Sequence, residues 1–110
     1  MESQTEVVLY HRTNMEDART ILSQGFSDSA GFVLNIRTWT GVWFSSSPRG
    51  GEHGDVVLTV RLQMDERELA QWEWSGEGRD YREWLIPANI VNQRATVERT
   101  ENSDHSTVAA

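Results

Sequence analysis

The stretch Val7-Val8-Leu9-Tyr10-His11-Arg12-Thr13 runs directly into Asn14-Met15-Glu16-Asp17, and this junction constrains the fold more than any other part of the chain. Strand-favouring side chains lead up to His11. Thr13 followed three residues later by Glu16 fits the reciprocal capping box that opens a helix, which predicts a helix from about Asn14 to Gln24. Within it Ala18, Ile21 and Leu22 share one face, with Met15 beside them. Gly25 fits the left-handed residue that ends a helix, and Phe26 fits the apolar contact that folds back after it. A strand that hands a histidine to the start of a helix places that ring at the rim of a sheet. There it serves either as a packed, hydrogen-bonded side chain or as a group facing a cleft.

The rest of the chain supplies strands for that junction to join. Ser27–Thr40 has no clean period: 27–31 reads as loop, and Phe32–Ile36 as a short strand or a segment covering a cleft, with Arg37 and Trp39 at its far end. Gly41-Val42-Trp43-Phe44-Ser45-Ser46-Ser47-Pro48 is a second strand in which bulky side chains give way to hydroxyls. Arg49–Asp55 reads as an exposed turn carrying His53. Asp55–Gln63 is a third strand, with Val56, Leu58, Val60 and Leu62 alternating against Val57, Thr59 and Arg61. Residues 65–70 make a short helix with an acidic start, 71–74 alternate, and 75–78 turn. In 79–87 the side chains of Tyr81, Glu83 and Leu85 point one way and those of Arg82, Trp84 and Ile86 the other. Glu83 is then either a half-buried carboxylate or a partner of Arg79 or Arg82. Ala88–Asn92 fits one turn, and Ala95–Arg99 a closing edge strand.

These elements predict one α+β domain over residues 1–110, with polar arms at about 1–5 and 100–110. Seventeen acidic against ten basic residues give a net charge of −7, which argues against nucleic acid and anionic membranes as partners, since both select a positive field. The absence of cysteine excludes disulfides, thiol nucleophiles and thiolate metal sites. No histidine and carboxylate spacing suggests a metal site. No run is apolar for long enough to span a bilayer, and no basic-then-apolar leader opens the chain, so the expectation is a cytoplasmic protein.

Three pieces stand in a telling order: Leu9-Tyr10-His11-Arg12-Thr13 before a helix closed by Gly25-Phe26, then Gly41-Val42-Trp43-Phe44-Ser45, then Arg82-Glu83-Trp84-Leu85-Ile86. Together they resemble the small ADP-ribosyltransferase fold, in the His-Tyr-Glu branch that holds the polymerase-type domains and the diphtheria-toxin group. The resemblance spans about Val7 to Ile86 and implies a small split antiparallel β-sheet core with one main N-terminal helix. It implies NAD as substrate, no metal, and ADP-ribose transfer to an acceptor such as a protein, or to water. Glu83 and His11 would be the catalytic pair. Glu83 would stabilise the oxocarbenium-like state as nicotinamide leaves, and His11 would hold the nicotinamide ribose. Trp43 would stack on the nicotinamide ring, with Phe44 and Ser45 beside it. Arg12 would offer its backbone to the carboxamide, Thr13 would lie near the adenosine side, and Arg37 would sit in the 27–40 segment covering the donor.

The chain departs from that pattern at two points. Arg12 stands where the family keeps glycine, and Trp43 where it keeps tyrosine. Both motivate an alternative reading as a binding module of the same fold, recognising NAD, ADP-ribose or a protein without turnover. The RNA 2′-phosphotransferases also begin with a histidine strand motif. They require a further histidine and arginines for RNA phosphate, against which this chain sets a negative net charge and His53 in a turn. The sequence leaves the acceptor and the oligomeric state open.

Overall fold

A computed structural model describes residues 5–27, 29–34, 37–48, 54–74 and 80–102, with backbone only for 29–34 and 37–40. The elements in chain order are β1 (Val7–Thr13), α1 (Met15–Gln24), β2 (Ser29–Leu34), β3 (Arg37–Ser45), β4 (Val56–Leu62), α2 (Glu66–Ala70), β5 (Glu73–Trp74), β6 (Glu83–Ile86), α3 (Ala88–Arg94) and β7 (Ala95–Asn102). Six strands lie in the order β5-β6-β3-β1-β4-β7, every pair antiparallel, and β2 adds a hairpin to the first part of β3. This is the α+β architecture that the sequence predicts.

The sheet has one heavily buried face. β4 turns Val56, Leu58, Val60 and Leu62 inward, all at 0% exposure. Burying a side chain of this size stabilises the fold by roughly 1.5–3 kcal/mol, whereas an exposed ion pair such as Arg82 with Glu66 contributes roughly 0–1. The core therefore rests on β4 and its neighbours and not on surface charge. Ala18 of α1, Leu69 of α2 and Ala88 and Val91 of α3 join the same cluster as Val42, Phe44, Trp84 and Ile86. All three helices thus cover one face of the sheet.

The strands of this sheet are not equally tied. β1 pairs with β4 over all seven of its residues, from Val7↔Leu62 to Thr13↔Val56. β1 and β3 share the single pair Tyr10↔Ser45. The sheet therefore consists of two halves, β5-β6-β3 and β1-β4-β7, which meet at one register position and part beyond it.

Three local expectations change. Thr13 remains a strand residue paired with Val56, so the helix cap falls one position later. The Asn14 side chain accepts from the Asp17 backbone N–H at 2.7 Å and donates to the Asp17 carboxylate at 3.3 Å. Leu22 is 41% exposed, because the buried stripe of α1 is narrow and runs through Met15, Ala18 and Ile21. Residues 29–31, expected as loop, belong with 32–34 to strand β2, which pairs with β3 through Ser29↔Gly41, Ala30↔Thr40, Val33↔Thr38 and Leu34↔Arg37, with an irregularity between Ala30 and Val33. That irregularity breaks the two-residue period by which a strand is read. The side chains of Arg37 and Trp39, and all of His53 and Arg79, lie outside the described residues.

Arg12 and Gly54 lock the end of β1 to the segment before β4. The Arg12 guanidinium donates to the carbonyls of Gly54 at 3.0 Å and Pro48 at 2.8 Å. A Cβ at Gly54 would fall inside contact distance of the Thr13 carbonyl, and Gly54 has φ +144°, which side chains disfavour. Gly54→Ala should cost about 2–3 kcal/mol of stability, and Arg12→Ala about 1–2, in urea unfolding monitored by tryptophan fluorescence. A Gly54→Ala variant as stable as the parent would refute this backbone contact.

Candidate functional site

The parting of β1 from β3 leaves room beside α1, and His11 occupies the seam. Its Nδ1 donates to the Trp43 carbonyl at 2.7 Å, so a side chain joins the halves where the ladder stops. The ring packs edge-on against Phe26 at 5.6 Å and against Phe44 at 5.8 Å between centroids. Burial holds the imidazole pKa below its usual 6.5, against the opposing pull of the Trp43 hydrogen bond and the Asp17 charge. The ring is then neutral near pH 7. With Nδ1 protonated towards Trp43, Nε2 carries a lone pair and acts as an acceptor.

Between the seam and α1 lies an open pocket of about 200 Å³. Its floor is Val42, Phe26, Thr13 and His11. Asp17, Thr20 and Ser27 form its exposed rim. The volume suits one sugar or one aromatic ring; pockets for whole drug-sized ligands run from roughly 300 Å³ upward. The floor is held from below by Asn92 of α3, whose amide pairs with both backbone groups of Phe26, accepting from its N–H at 2.8 Å and donating to its C=O at 2.9 Å. Gly25, at φ +93°, allows this approach, since a Cβ there would meet the Asn92 amide oxygen at 2.9 Å.

The residues predicted from sequence divide between the two faces of the sheet. His11, Thr13 and Phe44 lie on the helix-covered face, and His11 and Thr13 line the pocket. Trp43, Ser45 and Glu83 alternate to the other face, in register with Leu85, Glu83 and Ser45 across the β3–β6 ladder. Trp43 meets Trp74 edge-on there at 5.7 Å. Glu83 is 5% exposed and aligns with Ser45, which aligns in turn with Tyr10. The carboxylate is thus in line with Tyr10, and His11 is on the opposite face. Ser45 Oγ donates to the Ser47 carbonyl at 2.7 Å, and Arg12 is held by two main-chain carbonyls. Arg82, one of the two cations considered as a Glu83 partner, instead pairs with Glu73 at 2.8 Å and lies over the Trp84 ring at 4.9 Å.

Asp17, Thr20 and Asn92 do not emerge from the sequence reading. Asp17, Thr20 and Ile21 sit three and four residues apart, so the signal for them is a pair of polar residues beside the apolar stripe of α1. Asn92 has no such signal, because its partner Phe26 lies far away in the chain. Among the described residues no group of three or more His, Cys, Asp or Glu comes together, and no helix is long and apolar enough to cross a membrane. No family model, curated protein or solved structure matches this chain.

The His11 environment makes stability pH-dependent. Its folded pKa lies below the unfolded 6.5, so on acidification the unfolded chain takes up the proton first. Stability is full above about 6.5 and falls as the pH drops from there through the folded pKa. Denaturant unfolding between about pH 7 and pH 5 should show this slope, and His11→Gln should flatten it. An equal slope in the variant would place the titration elsewhere.

Proposed function

We propose that this chain is an ADP-ribosyltransferase-like domain that binds NAD at the seam between its half-sheets. In this reading the N-glycosidic bond between nicotinamide and C1′ of its ribose breaks, nicotinamide departs, and a protein acceptor or water forms the new bond to C1′. Glu83 stabilises the positive charge that develops on the ribose. The observation that supports the reading is strand order. Three motif-bearing segments, distant in sequence, become the consecutive neighbours β1, β3 and β6, and the sheet parts between the first two. The parting of the sheet supports the split core that the resemblance implies.

A second reading has its own observation. Transfer requires the histidine and the glutamate at one ribose, whereas the register sets Glu83 in line with Tyr10 and Ser45 and sets His11 towards α1. That arrangement favours a module that recognises NAD or ADP-ribose without turnover. Arg12 adds to this, since its guanidinium is spent on the fold.

Chromatographic assay of nicotinamide released from NAD, paired with calorimetric titration of NAD and ADP-ribose, separates the two. The transferase reading expects release, with Glu83→Gln lowering it roughly 100-fold or more while ADP-ribose binding persists. Binding with no release by the parent chain supports the module. Absence of binding by both ligands removes both readings.

A further inference from the structure

We propose that the outer side of β7 is an interaction surface for a second copy of this chain, the two strands pairing antiparallel about a two-fold axis at Thr100. This surface is independent of the NAD reading. β7 is separated from the seam by β4 and carries none of the residues assigned to the dinucleotide.

β7 closes one end of the sheet, and among the described residues no strand pairs with its outer side. An edge of this kind presents a row of backbone N–H and C=O groups that another strand can take up. β7 has eight residues, against two for β5 at the opposite end. Its first half is blunted. Thr59 faces Arg99 and Val60 faces Val97, so Glu98 is an extra residue, a bulge that interrupts the edge. From Arg99 to Asn102 the register with β4 is regular. Arg99 and Glu101 stand opposite Thr59 and Val57, on the face away from the core row of β4. Their side chains are 66% and 29% exposed, and the ion pair between them is long, at 3.9 Å.

Symmetry and charge together select the partner and the register. Identical strands that pair antiparallel in one sheet are related by a two-fold axis perpendicular to it, so one residue stands opposite itself. Centring on Glu98, Arg99 or Glu101 sets like charges face to face, which is destabilising. Centring on Asn102 carries half of the ladder past the end of β7. Centring on Thr100 sets Arg99 opposite Glu101 of the second copy, and the two-fold repeats that attraction. Thr100 then meets its own copy, a favoured cross-strand pair, and Glu98 falls opposite an asparagine. A foreign peptide would have to carry an acidic and a basic residue at this spacing in reverse order. A second copy supplies both by symmetry. The ladder is short, which places the dimer among weak, transient contacts.

Sedimentation velocity over a concentration series reaching the millimolar range tests this. Salt of about 0.15 M screens the repulsion between chains of net charge −7 beyond roughly 8 Å. The parent is expected to show a monomer–dimer equilibrium. Arg99→Glu and Glu101→Arg are each expected to weaken self-association about tenfold or more, because either reversal turns both cross-strand pairs into like-charge pairs. Net charge alone gives opposite effects, since the first variant is more acidic than the parent and the second less. An equimolar mixture of the two variants is expected to recover the association of the parent, because the heterodimer again has opposite charges at both pairs. Both positions face solvent, and circular dichroism confirms the fold of each variant. A parent that stays monomeric throughout overturns the proposal, as do variants that associate like the parent, or a mixture that associates no better than its components.

Discussion

The structure depends on how little joins β1 to β3. A single register pair, Tyr10↔Ser45, holds the two half-sheets together as a ladder. Beyond it the His11 side chain donates to the Trp43 carbonyl. A hydrogen bond of this kind contributes about 0.5–1.5 kcal/mol, so the histidine has a structural role at the seam. It is also the reason the seam is polar on one side. A neutral imidazole that donates from one nitrogen must offer a lone pair at the other, and His11 lines the pocket beside α1.

The elements around the seam hold it open. α1 is fixed by its Asn14 cap and by Ala18 and Ile21 on the core. The turn after it is held by the bidentate amide of Asn92, which stands in for a strand neighbour at Phe26. On the other side, Arg12 and Gly54 bind the end of β1 to the segment ahead of β4. None of these contacts lies within the β-ladder. Each supplies donors, acceptors or close approach where the ladder is absent, which is how a sheet with a gap avoids orphaned backbone groups.

Arg12 shows how one residue changes meaning between sequence and structure. Against the family pattern it is an intrusion at a glycine position, with a side chain that must find either space or a phosphate. In the fold it has two main-chain carbonyls and leaves the helix side of the seam clear. Glu83 changes in the opposite sense. The alternation of 81–86 is legible, with Trp84 and Ile86 in the core, and it is this same alternation that carries Glu83 away from His11.

By itself the sequence determined the local elements: the β1–α1 junction, the period of two in β4, the alternation of β6, and the glycine that ends α1. These follow from side-chain shape, capping and periodicity over a few residues, which need no partner to be read. Only the tertiary structure decided the pairing of β2 with β3, where an irregular register hides the period, and the Asn92 clamp, whose partner is remote. It also decided the face on which each predicted site residue stands. Facing across a sheet depends on the register between strands, and a shift of one residue reverses it. Tyr10 and His11 are adjacent in the chain, yet pairing assigns the first to the row of Glu83 and the second to the pocket beside α1.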